Sequence, residues 1–414
     1  MSVCQLKEKQ LLKSITKKMP GPCNIFYFSP YDLLRPRTNQ VSDMRLCEGF
    51  AINKCNVTLF APYVYRIDNI NKEELFKKYG IEIPFLIKYL PTKFKADVKG
   101  SGNLLLIIFL TCWINLRVML QFLFSKKKVI IMSRSPHLIA FPIVLKKIFF
   151  MGAKNISIII WVHEVMDRPF YKWTYRNADG VVGTNSSITE DLNKIAGIDA
   201  QKTAVSLNPV SERQVNYSVD KISARKTVNL VMDKPLVVYT GKLGEGIKEI
   251  EYLLKAAKLL PQYAFLFTGG KPAAVGHYKN WCSSNQVTNV HFTGYIPDYT
   301  MIINYQFAAD VLVSYYTRHT HDVRYSFPNK ICEYMITGNP IVTPEFPATR
   351  DVLNRSNAIF VEPENIVSLV EGIKAAVEDS KTSHHLALQA QKDVKEFTFG
   401  KRTKMLLDFF ESLN

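Results

Sequence analysis

Lys330 and Glu333 lie three residues apart in the stretch Tyr325-Ser-Phe-Pro-Asn-Lys-Ile-Cys-Glu-Tyr-Met-Ile-Thr-Gly-Asn-Pro-Ile-Val-Thr343. That spacing sets an ammonium and a carboxylate on one face of a helix that begins near Pro328, since proline favours the first helical turn. A helix N-terminus offers free N–H groups and about half a positive charge, which suits a phosphate. Lys330 adds a full charge, and Glu333 can accept hydrogen bonds from a diol. The pair is therefore fitted to a nucleoside diphosphate. A second cluster, Val237-Val-Tyr-Thr-Gly-Lys-Leu-Gly-Glu-Gly-Ile-Lys248, reads as a strand running into a glycine-rich loop. Gly241 lets backbone approach phosphate oxygens, and Lys242 and Lys248 can neutralise them. His163 and Glu164 follow an apolar strand directly, at the end where parallel sheets carry their active sites. The plain alternative for His163 is an imidazole satisfied by a backbone carbonyl.

The elements that must position these residues alternate between apolar strands and helical segments, the pattern of a parallel α/β sheet. Strands are expected at 23–29, 57–61, 129–133, 156–162, 180–184 and 205–207, with helices at 39–53 and 137–151. Residues 62–102 read as irregular, with six lysines between 72 and 95 and three prolines. Ser186 or Ser187 is expected to cap the helix that contains Glu190. Asn208-Pro209 reads as the exit from a first domain, because the residue before proline is pushed out of helix. After a polar link at 211–233 the alternation restarts. Strands are expected at 235–240, 263–268, 289–293, 310–315, 340–343 and 358–361, with helices at 248–260, 328–337 and 363–378. The expected architecture is two Rossmann-like domains facing across a cleft, 1–213 and 214–395, followed by a tail at 396–414 with a helix at about 401–413.

The chain of 414 residues is long enough for two such domains. Seven cysteines without a CxxC pair point to reduced thiols rather than disulfides or a zinc site. No Asp-x-Asp occurs, and His319 and His321 read as loop residues, so no metal or other cofactor is expected. The net charge of +17 is uneven: residues 1–213 hold 31 Lys and Arg against 16 Asp and Glu, which leaves +2 for the remainder. Such a split points to a polyanionic partner for the first half, either nucleic acid or an anionic membrane surface. Nucleic acid is disfavoured, since no RRM, helix-turn-helix or zinc-finger signature is present. The first 21 residues are basic and lack the apolar core of a secretory leader. Residues 103–124 carry one charge, Arg117, and are long enough to cross a bilayer. A span there would split the first sheet, and Arg117 near its middle would cost about 2.5–3.5 kcal/mol. A domain helix, buried or lying in the membrane interface, is the expectation.

Taken together, the motifs at 235–380 resemble those of GT-B glycosyltransferases in family four. The order matches: Gly241-Lys242 with Lys248, Phe292-Thr-Gly-Tyr, Ala309-Asp-Val-Leu-Val, Ser326-x-Pro-x-Lys-x-x-Glu-Tyr-Met, Gly338-x-Pro-Ile-Val and Val361-x-Pro. The resemblance implies a retaining transfer of a hexose or N-acetylhexosamine from a UDP- or GDP-sugar to a hydroxyl. It assigns Gly241, Tyr325, Ser326, Lys330 and Glu333 to the nucleotide-sugar, and His163, Lys242 and Lys248 to catalysis. It also makes the first domain the acceptor domain, with a tail that crosses back onto it. Two departures stand out. Relatives often have a glycine pair where this chain has Arg35 and Arg37; with Arg45 these could bind an acceptor's pyrophosphate. The family's E-x7-E has Tyr325 in place of its first glutamate, which leaves the sugar's identity open. A lipid-linked or oligosaccharide acceptor in bacterial surface polysaccharide assembly, met by a cytoplasmic enzyme lying on the inner face of the membrane, completes the expectation. A GT-B phosphorylase or sugar-nucleotide epimerase is the alternative, and a basic nucleic-acid-binding protein a remote one.

Overall fold

The computed structural model describes residues 23–34, 37–64, 71–92, 101–123, 125–149, 153–207, 210–230, 233–244, 248–319, 323–325 and 330–413. Its first half runs β1 (Cys23–Phe28), α1 (Thr38–Ile52), β2 (Asn56–Val64), α2 (Lys72–Tyr79), β3 (Leu86–Thr92), α3 (Ser101–Phe122) and β4 (Lys128–Ser133). It continues through α4 (Pro136–Ile148), β5 (Ile156–Val162), α5 (Pro169–Asn177), β6 (Gly180–Gly183), α6 (Ser186–Ala196) and β7 (Thr203–Val205). These strands form one seven-stranded sheet in the order β3-β2-β1-β4-β5-β6-β7. Two short helices, α7 (Glu212–Val215) and α8 (Lys221–Thr227), occupy the segment expected to be a polar link. Ser211 and Gln214 close a capping box at the start of α7.

The second half runs β8 (Leu236–Thr240), α9 (Lys248–Leu259), β9 (Ala264–Thr268), α10 (Pro272–Ser284), β10 (Val290–Gly294), α11 (Tyr299–Phe307) and β11 (Val311–Val313). Then follow α12 (Lys330–Ile336), β12 (Ile341–Pro344), α13 (Pro347–Arg350), β13 (Ile359–Val361), α14 (Ile366–Glu378), α15 (Ser380–Asp393) and α16 (Phe399–Ser412). The six strands are ordered β10-β9-β8-β11-β12-β13. Both sheets therefore repeat the doubly wound 3-2-1-4-5-6 order. Each has a switch point, between β1 and β4 in one and between β8 and β11 in the other, where such sheets place ligands. The central strands are continuous apolar runs because helices cover both faces; Ile25, Tyr27, Phe28, Leu236 and Val238 are fully buried.

By packing, the chain divides into two units. One holds Met1–Trp161, Met166–Val181 and Thr403–Asn414; the other holds Val162–Val165 and Val182–Arg402. The end of α16 thus belongs with the first unit, where Lys128 donates to the Phe410 carbonyl at 2.8 Å and Asn53 to the Thr403 hydroxyl at 2.9 Å.

The segment 62–102, expected to be irregular, contains α2 and β3. β3 pairs with β2 alone, from Thr58↔Leu86 to Val64↔Thr92. An edge strand tolerates Pro91, which a central strand would not. Lys88 hides the pattern further: it is buried on this strand, and burial pushes its ammonium down to about 8. The cap of α6 is also not a serine. Asn185 accepts from the Ile188 N–H at 3.0 Å, one position earlier than expected. Asn208-Pro209 lies outside the described residues.

Candidate nucleotide site

β8 is followed by Gly241, whose φ of +148° favours glycine. The turn after β9 packs against it backbone to backbone. A Cβ on Gly269, at φ +115°, would sit 2.0 Å from the Gly241 carbonyl oxygen. A Cβ on Gly270 would meet the Leu243 Cβ at 2.8 Å. These three glycines let two strand ends close together while leaving open a cavity of about 670 Å³ above them. Lys242, Lys271, Tyr295, Tyr299, Lys330 and Glu333 are among its lining residues. That volume suits a ligand of nucleotide size.

Lys330, the first residue of α12, reaches under Gly241; a Cβ there would meet its Nζ at 3.1 Å. The ammonium stands 3.9 Å from the centroid of the Tyr239 ring and 5.4 Å from that of Tyr316, a cation–π cradle. Burial pushes its pKa down to about 7, with Glu333 and Glu249 opposing. A cation held this close to neutrality gains from a diphosphate that restores its charge. Glu333 accepts from the Tyr299 hydroxyl at 2.6 Å and from Gln306 Nε2 at 3.0 Å. Burial raises its pKa, and those two hydrogen bonds and Lys330 oppose the rise. Gln306 also donates to the Thr240 hydroxyl at 3.1 Å, which ties the carboxylate to the end of β8. Tyr299 and Gln306 lie on α11, about thirty residues upstream. No spacing rule connects them to Glu333, so sequence reasoning missed both.

Of the residues expected in the site, Gly241, Lys242, Lys330 and Glu333 come together around this cavity. Lys248 opens α9, with its side chain outside the described atoms. Tyr325 is not among the lining residues. Its hydroxyl donates to Asp191 at 2.7 Å and its carbonyl accepts from Asn185 at 2.7 Å, beside a two-pronged Arg324–Asp191 pair. His163 follows β5, half-buried, and does not line the cavity either; Glu164 is exposed. Arg37 is an exposed residue at the N-cap of α1. Arg45 pairs with Glu48 at 2.8 Å within α1, and its guanidinium packs over Gly80, where a Cβ would meet Nη2 at 2.7 Å. An arginine so engaged is held by its own domain. Arg35, Ser326 and His321 lie outside the described residues. His319 stands 3.8 Å from Glu364. Among the described residues no group of three His, Cys, Asp or Glu side chains is placed to hold a metal ion.

Residues 234–379, the stretch that builds this cavity, match the family model of glycosyl transferases group 1. Over those residues the chain is similar to group 1 glycosyltransferases. An uncharacterized glycosyltransferase of Methanocaldococcus jannaschii is 26% identical over 233 residues, which is 55% of this chain and 57% of that protein's length. Among solved structures, Anabaena HepE in complex with UDP superposes with a TM-score of 0.67 at 15% identity, covering 94% of this chain and 100% of that one. Sucrose-phosphate synthase of Thermosynechococcus elongatus gives 0.68 at 17%, covering 94% and 99%. At such identity these two show the fold alone, and that fold, two doubly wound parallel sheets, is GT-B.

Proposed function

We propose that this protein transfers a sugar from a UDP- or GDP-linked donor to a hydroxyl, with retention of configuration. The acceptor is lipid-linked or an oligosaccharide, in bacterial surface polysaccharide assembly. One observation carries the reading. Lys330, its pKa lowered by burial to about 7 and its ammonium cradled by Tyr239, faces an open cavity beside Gly241, with Glu333 held by Tyr299 and Gln306 on the same lining. That arrangement can meet the developing charge of a departing nucleoside diphosphate with a fixed cation. Lys242 and Lys248 stand on the loop and helix that follow β8 and supply the remaining neutralisation. His163 contacts the donor sugar, as the family resemblance implies. UDP is bound by Anabaena HepE, whose fold this chain shares, and that supports a uridine donor first.

In this reading lysines do the work of a divalent ion, and the enzyme operates on the cytoplasmic face of a membrane. A panel of UDP-, GDP- and dTDP-sugars, assayed for hydrolysis and transfer in excess EDTA, tests it. One donor should turn over, and the sugar should leave with its anomeric configuration kept. Inertness toward every donor sinks the proposal. Loss of turnover in EDTA, restored only by Mg²⁺ or Mn²⁺, overturns its cation-only account of the leaving group.

A further inference from the structure

The helix α3 carries a stretch, Leu105–Phe122, long and apolar enough to cross a membrane, and 33% of it is buried. The buried third is one face. Ile107, Thr111, Ile114, Asn115, Val118 and Met119 are each at most 5% exposed, and the apolar ones join the core formed by β1, β2 and β4. The helix also packs along α4 and β3. A helix anchored to the sheet in this way cannot be threaded through a bilayer without tearing out the core.

Its opposite face is apolar too. Leu105, Phe109, Trp113 and Leu120 are 69%, 68%, 43% and 53% exposed. At 3.6 residues per turn these four fall within about 80° of arc, so they form one stripe along the helix. Arg117 stands at the stripe's border with its guanidinium 4.5 Å from the Trp113 ring centroid, a long side chain able to reach toward headgroups. On the neighbouring α4, Val144 and Ile148 are also exposed, at 42% and 64%. An ordinary domain helix turns charged residues outward; this one turns outward the side chains that water rejects.

The charge around the stripe selects its occupant. From 98 to 163 the chain has nine Lys and Arg residues and no Asp or Glu. Lys126, close after the end of α3, and Lys147, in the last turn of α4, are exposed. An apolar stripe set in a segment without a single carboxylate matches an anionic leaflet, which takes aromatic and leucine side chains below its headgroups and cations at them. A second copy of the same face would bring like charges together.

We infer that the exposed face of α3 is a membrane-docking surface, lying in the interface of an anionic bilayer with Leu105, Phe109, Trp113 and Leu120 inserted. The inference rests on the peripheral-membrane part of the proposed function and assigns it to particular side chains. The test uses the full chain, with phosphatidylcholine vesicles and with vesicles containing phosphatidylglycerol as well. The parent should co-sediment with the anionic vesicles at least tenfold better than with the neutral ones, and less as salt rises. Brominated lipids should quench the fluorescence that a Trp113→Phe variant lacks. A Phe109→Ser/Trp113→Ser double variant should lose at least tenfold in vesicle binding while binding UDP as the parent does. If the parent binds vesicles and the double variant binds them equally, the surface assignment fails and the peripheral reading survives. If the parent ignores anionic vesicles, both fail. A parent that is dimeric, with a monomeric double variant and no vesicle binding by either, makes the stripe a self-association surface and overturns the inference.

Discussion

The two sheets share one strand order and differ at their switch points. At the first, a buried ion pair lies beside the ends of β1 and β4. Asp43, fully buried, accepts from the Tyr27 and Ser29 hydroxyls at 2.7 Å each and pairs with Arg134 at 2.6 Å. The Arg134 guanidinium stands 5.0 Å from the Trp161 ring centroid. Burial pushes the Asp43 carboxyl up, and Arg134, Ser29 and Tyr27 pull it back only in part. In the second, the ends of β8 and β9 carry Gly241, Gly269 and Gly270 instead of side chains, and a cavity opens between them and Lys330. At one switch point the buried charges of Asp43 and Arg134 answer each other. The other keeps a cation between aromatic rings, with Glu333 and Glu249 nearby and an open cavity in front of it. The same topology thus carries a buried, hydrogen-bonded ion pair at one switch point and a lysine facing an open cavity at the other.

Substitution at each crevice should act on different quantities. Asp43→Ala strands the Arg134 charge in the interior, an omission that costs about 3–5 kcal/mol. Denaturant midpoints of parent and variant would register it, and a shift worth under about 1 kcal/mol would mean that Arg134 does not depend on Asp43 for its buried charge. Lys330→Ala should do the reverse. It removes a desolvated charge, so stability should hold or rise, while loss of a charged hydrogen bond of about 1.5–3 kcal/mol raises the Kd for UDP roughly ten- to hundredfold. Calorimetry on a folded variant that still binds UDP like the parent would remove Lys330 from the site. Glu333→Gln replaces one of the two oxygens that accept from Tyr299 and Gln306 by a donor, and should weaken nucleoside binding by about 1 kcal/mol.

The smallest effect is the most diagnostic. Lys330 has a pKa of about 7 in the unliganded protein, and a bound diphosphate favours its charged form. Below pH 7 the ammonium is already present. Above it, binding must take up a proton, so affinity should fall by up to about tenfold per pH unit. Titrations in buffers of different ionisation enthalpy at pH 8 should reveal that uptake, and a Lys330→Met variant should show none. Its persistence in that variant would assign the proton to another group.

Much of the second half was legible because its signals are local. Lys330 and Glu333 share a helix face by their spacing alone, Gly241 announces a close backbone approach, and fully buried parallel strands read as uninterrupted apolar runs. β3 escaped because an edge strand satisfies only one neighbour and can carry Pro91 and Lys88 where a central strand could not. Arg45 and Tyr325 looked available only because a sequence does not display their partners, Glu48 and Asp191. Arg134 and Asp43, ninety-one residues apart, carried no mark of being a pair.

The sequence by itself determined the periodicity, the two-sheet fold and the residue types that line the cavity at the end of β8, because turns, helix faces and apolar runs are set by neighbours a few residues apart. Tertiary structure alone decided which charges remain available. Tyr299 and Gln306 reach Glu333 from another helix, and Asp43 cancels Arg134. One face of α3 goes to the core and the other to the surroundings. Burial and pairing are properties of what folds against a residue, and in this chain those contacts come from distant segments.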